Sequence, residues 1–302
     1  MRYFKLFNDS CGEFLGVQVK PNLLISLSHI DSNIISVDQL LSASFLSNQT
    51  IDEIASKILD KSNDQLEVAI SEIGFTIAED ANFQILRPFD PPEIWAAGVT
   101  YKSSEMERRR ESETPDLYSE VYGAARPEIF LKSTSDRCMG PLDDIGIRND
   151  SKWDVPEAEL GFVLFNGEVC GFTCGNDVSS RSIEGENALY LPQAKIYDQS
   201  CSIGPCFVSS ESINDPQNLQ VSCTVIREGN QIFFGQTNTN QMARGIKDLA
   251  TWLQKSNTIP NMSVVLTGTG VVPPPEFSLL ENDTVRIEIQ DIGILENVVV
   301  DV

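Results

Sequence analysis

Glu157 and Glu159 stand one residue apart at the head of the apolar run Leu160-Gly-Phe-Val-Leu-Phe165. A second run, Val169-Cys-Gly-Phe-Thr-Cys174, leads to Asn176-Asp177. Asn166-Gly167 separates the two, the strongest short-range signal for a two-residue type I′ hairpin turn. Side chains two apart on a strand share a face, roughly 6.6 Å from each other. Like charges in that relation destabilise a sheet, and a bound hard cation would offset the repulsion. Whether Asp177 joins them depends on register. Unbroken pairing outward from the turn sets Glu157 opposite Asn176 and points Asp177 to the other face. A three-carboxylate site needs the strand to end or to bulge near Gly175, since glycine inside a strand often marks a bulge.

The elements that must hold these residues are mostly strands. Short alternating runs occur at Arg2–Leu6, Phe14–Val19 and Leu23–Leu27. Val37–Leu46 and Thr50–Leu59 have helical spacing, with Asp52 and Glu53 in a first turn where the helix dipole favours acids. Leu66–Ile77 fits either a helix or a strand. Arg87-Pro-Phe-Asp-Pro-Pro-Glu93 interrupts the pattern, because X-Pro steps disfavour helix, and sets a domain boundary. The expected fold is α+β: a small α/β unit over residues 1–87, then a strand-rich domain over 88–302. Within the latter, Ser103–Glu120 reads as a polar surface helix or mobile lid. A helix is expected from Thr239 to about Ser256, and a strand over Val285–Ile289. There are no repeats, and Thr267-Gly-Thr-Gly270 lacks the Lys-Ser/Thr of a phosphate loop.

Composition narrows the function. The 302-residue chain carries 44 acidic and 22 basic residues, a formal net charge of −22, which repels nucleic acid and anionic membrane surfaces. An anionic substrate would then need a local cation. No apolar run approaches the ~20 residues of a membrane span. The first residues alternate like a strand and not like a signal peptide, so a cytosolic protein is expected. The seven cysteines are scattered, without Cys-x-x-Cys, and read as reduced thiols. His29 is the only histidine and reads as structural. That scarcity removes imidazole metal sites, His-containing triads and His general bases together.

Trp153-Asp-Val-Pro-Glu-Ala-Glu159 followed by Asn176-Asp177-Val-Ser-Ser-Arg181 resembles the metal signature of the fumarylacetoacetate hydrolase family. The resemblance runs from about Pro91 to the C-terminus. It includes Arg126-Pro-Glu-Ile-Phe-Leu-Lys132, Leu191-Pro-Gln-Ala-Lys195 and Thr267-Gly-Thr-Gly-Val-Val-Pro273. It implies a mixed β-sandwich roll, a homodimer, and Glu157, Glu159 and Asp177 as ligands of a divalent metal. The chemistry agrees: carboxylate oxygens without imidazole suit Mg²⁺, Mn²⁺ or Ca²⁺, not Zn²⁺. Such an ion can chelate a 2-oxo acid and acidify its C3 protons.

The C–C hydrolases of the family resemble one another in a lid motif, Gly-x-Asn-Tyr-x-x-His-x-x-Glu. Here Gly98-Val-Thr-Tyr101-Lys-Ser-Ser104-Glu-Met-Glu107 has Thr100 for the asparagine and Ser104 for the histidine, and keeps only Glu107. The whole string is more similar to the family's 2-keto-3-deoxy-pentonate dehydratases. That resemblance implies acid–base roles for Glu128 and Lys195, the lysine losing its proton more readily beside a dication. Thr269, with Ser104, Gln193 and Arg126, is expected to bind substrate, and Ser182 departs from the family's aspartate beside Arg181. The rival readings are an acylpyruvate hydrolase using Glu107 and a non-catalytic dimer that binds a metal and a 2-oxo acid.

Overall fold

The structure is a computed structural model. It describes the chain apart from residues 62–65, 78–80 and 112–114 and the side chains of 107, 108, 110, 111 and 115–118. The N-terminal third forms β1 (Arg2–Asn8), β2 (Gly12–Lys20), β3 (Leu23–Ser26), α1 (Leu27–Ile30), α2 (Val37–Ser47), α3 (Ile51–Leu59), β4 (Glu67–Ala69), β5 (Ile73–Gly74) and β6 (Phe83–Leu86). The helix expected from Thr50 begins there with a capping box, Thr50 and Glu53 each bonding the other's backbone N–H. The undecided stretch 66–77 becomes two short strands around a 3₁₀ turn, Ile70–Glu72.

The next segments are β7 (Glu93–Gly98), α4 (Lys102–Glu111), α5 (Pro115–Gly123), β8 (Glu128–Thr134), β9 (Cys138–Met139), β10 (Asp144–Ile147) and β11 (Asp154–Val155). Then come β12 (Ala158–Phe165), β13 (Glu168–Asp177), β14 (Ser179–Ser180), α6 (Arg181–Glu186), α7 (Leu191–Lys195) and β15 (Cys201–Ser209). The chain closes with β16 (Gln220–Arg227), β17 (Asn230–Asn238), α8 (Ile246–Leu253), β18 (Ser263–Leu266), β19 (Thr284–Ile289) and β20 (Gly293–Asp301). The helix expected over 239–256 is thus shorter, starting after Gly245 and preceded by a 3₁₀ turn capped by Asn238. The single polar helix expected over 103–120 is two, α4 and α5, joined where Ser119 Oγ donates to the buried Glu105 carboxylate at 2.9 Å.

One large mixed sheet runs β4-β3-β2-β1-β15-β13-β12-β18-β7-β8, and a five-stranded sheet runs β10-β20-β19-β16-β17. Antiparallel pairing of β1 with β15, Arg2 opposite Val208 and Tyr3 opposite Phe207, carries the large sheet across the expected division at residue 87. The N-terminal strands therefore extend the sheet that bears Asp177 instead of forming a sheet of their own.

Both faces of this sheet are covered. Leu160, Phe162 and Leu164 pack with Val221, Val225, Ile287 and Leu295 of the five-stranded sheet. Val163 and Phe165 join Val37, Leu40, Ile51 and Ile58 on α2 and α3. Burial on both sides is why β12 reads as a continuous apolar run and does not alternate.

Candidate metal centre and active site

The β12–β13 hairpin supplies the site. Asn166 and Gly167 both take positive φ, 50° and 79°, as a type I′ turn requires. Near the turn Phe165 pairs with Glu168 and Leu164 with Val169, but Val163 pairs with Gly171, so Cys170 is an extra, bulged residue. The bulge falls at Cys170, not near Gly175 as expected. Its Sγ donates to the Val163 carbonyl at 3.4 Å. From there outward the register is shifted by one: Ala158 pairs with Asn176, and the Asp177 N–H donates to the Glu157 carbonyl at 3.0 Å. Glu157 and Asp177 thereby stand across from each other, with Glu159 on the same face.

The three carboxylates are buried and offer oxygens all within 4.8 Å of one another. Glu159 Oε2 accepts the Gly268 N–H at 2.6 Å. Gly268 has φ +86°, and a Cβ there would overlap Thr100 Oγ1; only glycine lets this backbone come so close. Thr100, in the place of the lid asparagine, donates to the Thr267 carbonyl at 2.7 Å and so holds the same loop. Burial first, and then the charges of Asp177 and Glu157, push the Glu159 carboxyl well above the usual carboxylate range. Among the described residues no cation lies in an ion pair with Glu159. A buried carboxylate in that position fits a divalent, oxygen-preferring ion, and the absence of imidazole and thiolate donors from the cluster agrees.

Lys195 closes α7, a short helix opened by Pro192 where a proline costs no helical bond. Its Nζ lies 2.9 Å from Glu157 Oε2, 2.9 Å from Asp177 Oδ2 and 2.6 Å from Ser179 Oγ. Arg181, at the start of α6, approaches Glu157 Oε1 at 3.2 Å. Ser182, where the family carries aspartate, turns away to Ser151 Oγ at 3.0 Å and the Lys152 N–H at 3.2 Å. Arg181 is instead held through the Glu157 carboxylate and through its own N–H to the Trp153 carbonyl, 2.8 Å.

Glu157, Asp177, Lys195, Glu128, Ser104 and Thr269 line one small enclosed space of about 20 Å³, joined there by Glu184 and Phe130. Glu128 sits at the start of β8 opposite Gly98 of β7. A Cβ on Gly98 would overlap the Glu128 carboxylate, so glycine is what allows that acid to lie over the strand. Val99, which also lines the space, holds φ at +52°, a strained value for a β-branched residue.

Three expected residues are placed otherwise or fall outside description. Arg126 is exposed and stacks on Trp252, 4.7 Å from the ring centre. Gln193 is exposed on α7, and its carbonyl accepts from Arg148 at 3.3 Å. Neither lines the enclosed space. The Glu107 side chain lies outside the described residues. Thr269 is in the lining, but its Oγ1 accepts the Val271 N–H at 3.1 Å, and the neighbouring Gly268 N–H serves Glu159. His29 bonds Ser26 Oγ at 2.8 Å and meets Phe14 edge-on. Reading the sequence overlooked Lys132, Phe130 and Ser179 as site residues. The signal was present for one of them: Glu128 and Phe130 are alternate residues of one strand, whereas the pairing with β7 skips Lys132.

A buried carboxylate trio that could hold a metal ion, set beneath a lysine on this mixed sheet, describes a class of candidate metal centre. The chain belongs to the fumarylacetoacetate (FAA) hydrolase family, whose C-terminal domain matches residues 93–300. It is 45% identical over 271 residues, 90% of each chain, to a probable 2-keto-3-deoxyxylonate dehydratase of Haloferax volcanii. It is 43% identical over 222 residues, 71% of this chain and 74% of the other, to a 2-dehydro-3-deoxy-D-arabinonate dehydratase of Saccharolobus solfataricus. A solved 2-keto-3-deoxy-D-arabinonate dehydratase complexed with magnesium and 2,5-dioxopentanoate superposes with a TM-score of 0.79 at 31% identity, over 100% of this chain and 99% of that one.

Proposed function

We propose that this chain is a Mg²⁺-dependent hydro-lyase that converts a 2-keto-3-deoxy-pentonate of the D-xylonate or D-arabinonate type into 2,5-dioxopentanoate. The observation that carries the reading is the convergence of Lys195 and Glu128 on one enclosed space with Glu157 and Asp177 of the carboxylate trio. Full-length likeness to an enzyme solved with magnesium and that product supports it. A divalent ion held by Glu157, Glu159 and Asp177 would supply Lewis-acid polarisation of the substrate's 2-oxo group.

The chain's own groups do the rest. Lys195, whose ammonium rests on Glu157 and Asp177, becomes a base once those oxygens are committed elsewhere, and takes a proton from C3. Glu128 gives a proton to the departing C4 hydroxyl, which leaves as water. Loss of one proton from C5 and one from the C5 hydroxyl, with return of one proton each to C3 and C4, then yields the aldehyde, an isomer of the first dehydration product. Ser104 and Thr269, which line the same space, offer hydroxyls to the substrate. Ser104 cannot replace the imidazole of a water-activating pair, which disfavours hydrolysis. Residues 1–87 are read as a supporting unit, and a cytosolic homodimer completes the proposal.

The test is formation of 2-oxoglutarate semialdehyde from a panel of pentonate epimers with Mg²⁺ and with a chelator. Product that depends on Mg²⁺ supports the reading; no product from any epimer, or pyruvate release from acylpyruvates, retires it. In parallel, Mg²⁺ at about 100 times its Kd should raise the unfolding free energy by about 2.7 kcal/mol, measured as a rise in Tm.

A further inference from the structure

Lys132 is a fully buried lysine, 0% exposed. Burying an ammonium costs several kcal/mol unless it is paired and its protons are all bonded. Three acceptors meet it. Asp177 Oδ1 is at 2.7 Å, the Val178 carbonyl at 2.8 Å and the Lys195 carbonyl at 2.5 Å. The Tyr197 ring, 5.7 Å away, covers a remaining side. Three protons and three acceptors make the ammonium saturated.

The identity of those acceptors matters more than their number. One belongs to Asp177, the last residue of β13, one to Val178 just beyond it, and one to the last residue of α7, the residue whose own side chain reaches into the site. Lys132 itself is on β8, four residues beyond Glu128, and is the extra residue of a bulge there, since Leu131 pairs with Trp95 and Ser133 with Ile94. A single buried cation therefore ties together the three elements that bear Asp177, Lys195 and Glu128. The Asp177 carboxylate is also divided between two lysines, Oδ1 on Lys132 and Oδ2 on Lys195.

We infer that Lys132 is a positioning residue that reserves Asp177 Oδ1, leaves Oδ2 as the oxygen offered to the metal, and anchors α7 so that Lys195 faces the substrate. The inference rests on the reading of the trio as a metal centre. Outer partners that orient a ligating group affect both metal affinity and the geometry of the neighbouring base, so both should respond to this residue.

The experiment compares the wild-type protein with Lys132→Met and Lys132→Arg by Mn²⁺ titration calorimetry and steady-state kinetics. Methionine keeps the stem and loses the charge. It should weaken Mn²⁺ binding by about 10–100-fold. At saturating Mn²⁺ it should leave kcat lower by about 10-fold or more, with KM changed far less. Arginine should restore part of the Mn²⁺ affinity. A purely structural lysine would lower Tm but leave Mn²⁺ affinity and kcat per folded molecule unchanged, which overturns the inference. If the methionine variant does not fold, a crystal structure of the wild-type protein with Mn²⁺ decides. Asp177 bound through Oδ2 alone with Oδ1 still on Lys132 supports it, and both oxygens on the ion overturn it. No Mn²⁺ binding by the wild type removes the metal reading and this inference with it. Intact Mn²⁺ binding with insensitive variants removes the inference alone.

Discussion

The two ends of the β12–β13 hairpin share one backbone architecture and differ in everything that determines chemistry. The turn end, at Asn166-Gly167, opens on a groove of about 630 Å³ lined by Val169, Phe172, Ile246 and Ala250 together with Lys247 and Thr251. The open end, at Glu157 and Asp177, borders a space of about 20 Å³ lined by four carboxylates, from Glu128, Glu157, Asp177 and Glu184, and a buried lysine. The larger volume holds no cluster of carboxylates or metal donors. The smaller one concentrates like charges out of water, where each must be offset by a partner. Lys195, Lys132 and Arg181 offset Glu157 and Asp177, and Glu159 is left with a backbone N–H. In the proposed function, concentrated, desolvated charge marks the reactive end, and volume does not.

That contrast can be broken most directly at Lys195. Lys195→Ala should lower kcat by about 10²–10⁴-fold, the range for loss of a general base, while the variant still binds Mn²⁺ in a calorimetric titration. Activity retained within tenfold would move the base elsewhere.

Gly98→Ala is the next largest. The added Cβ overlaps the Glu128 carboxylate, and displacing that acid should cost about 10²-fold in kcat/KM. Circular dichroism and Mn²⁺ affinity should stay as in the wild type, which separates misplacement of the acid from loss of fold.

Asp154, on β11 just ahead of the trio, sharpens the comparison through pH. It is 3% exposed, its Oδ1 has no hydrogen-bond partner among the described residues, and burial pushes its carboxyl up to about 6 from an ordinary value of 3.8. The folded state therefore holds this proton more tightly than the unfolded chain. Stability linked to it is present below the unfolded value and is lost as pH rises through about 6. At about 1.4 kcal/mol per pH unit, Asp154→Asn should be the more stable protein at neutral pH by up to about 3 kcal/mol. The two should converge below pH 4 in denaturant titrations. Parallel pH profiles for variant and wild type would mean that the carboxylate is solvated.

The smallest effect belongs to the turn end. Lys247→Ala, in the groove lining, should change stability by no more than about 0.5 kcal/mol and leave kcat and KM unaltered. A tenfold loss of activity there would tie the groove to catalysis and undo the distinction.

Much of this was legible in the chain. The hairpin turn, the helices from Val37 and Thr50, and the parity of Glu157 with Glu159 follow from local chemistry, and the structure has them all. The helix over 239–256 and the division at 87 were less legible. A glycine N-cap shortened the first, and a pairing between β1 and β15 some 200 residues apart crosses the second. The family resemblance puts Arg126 and Gln193 at the site through the motifs that also carry Glu128 and Lys195. On short or bent elements a shared motif does not decide direction: Arg126 stacks on Trp252, and Gln193 points to the surface.

Residue types alone pointed to carboxylate oxygens as the candidate metal ligands and to carboxylates or lysine as the candidate bases, because the chain has one histidine and no paired thiols. Only the tertiary structure decided that Asp177 faces the two glutamates. A side-chain period of two means that a single extra residue, Cys170, reverses the face of everything beyond it, and no local signal at Cys170 announces it. The same holds for Lys132, whose acceptors lie 45 to 63 positions away in sequence. A buried charge is settled by the partners the fold brings to it, and those partners exist only once the strands have paired.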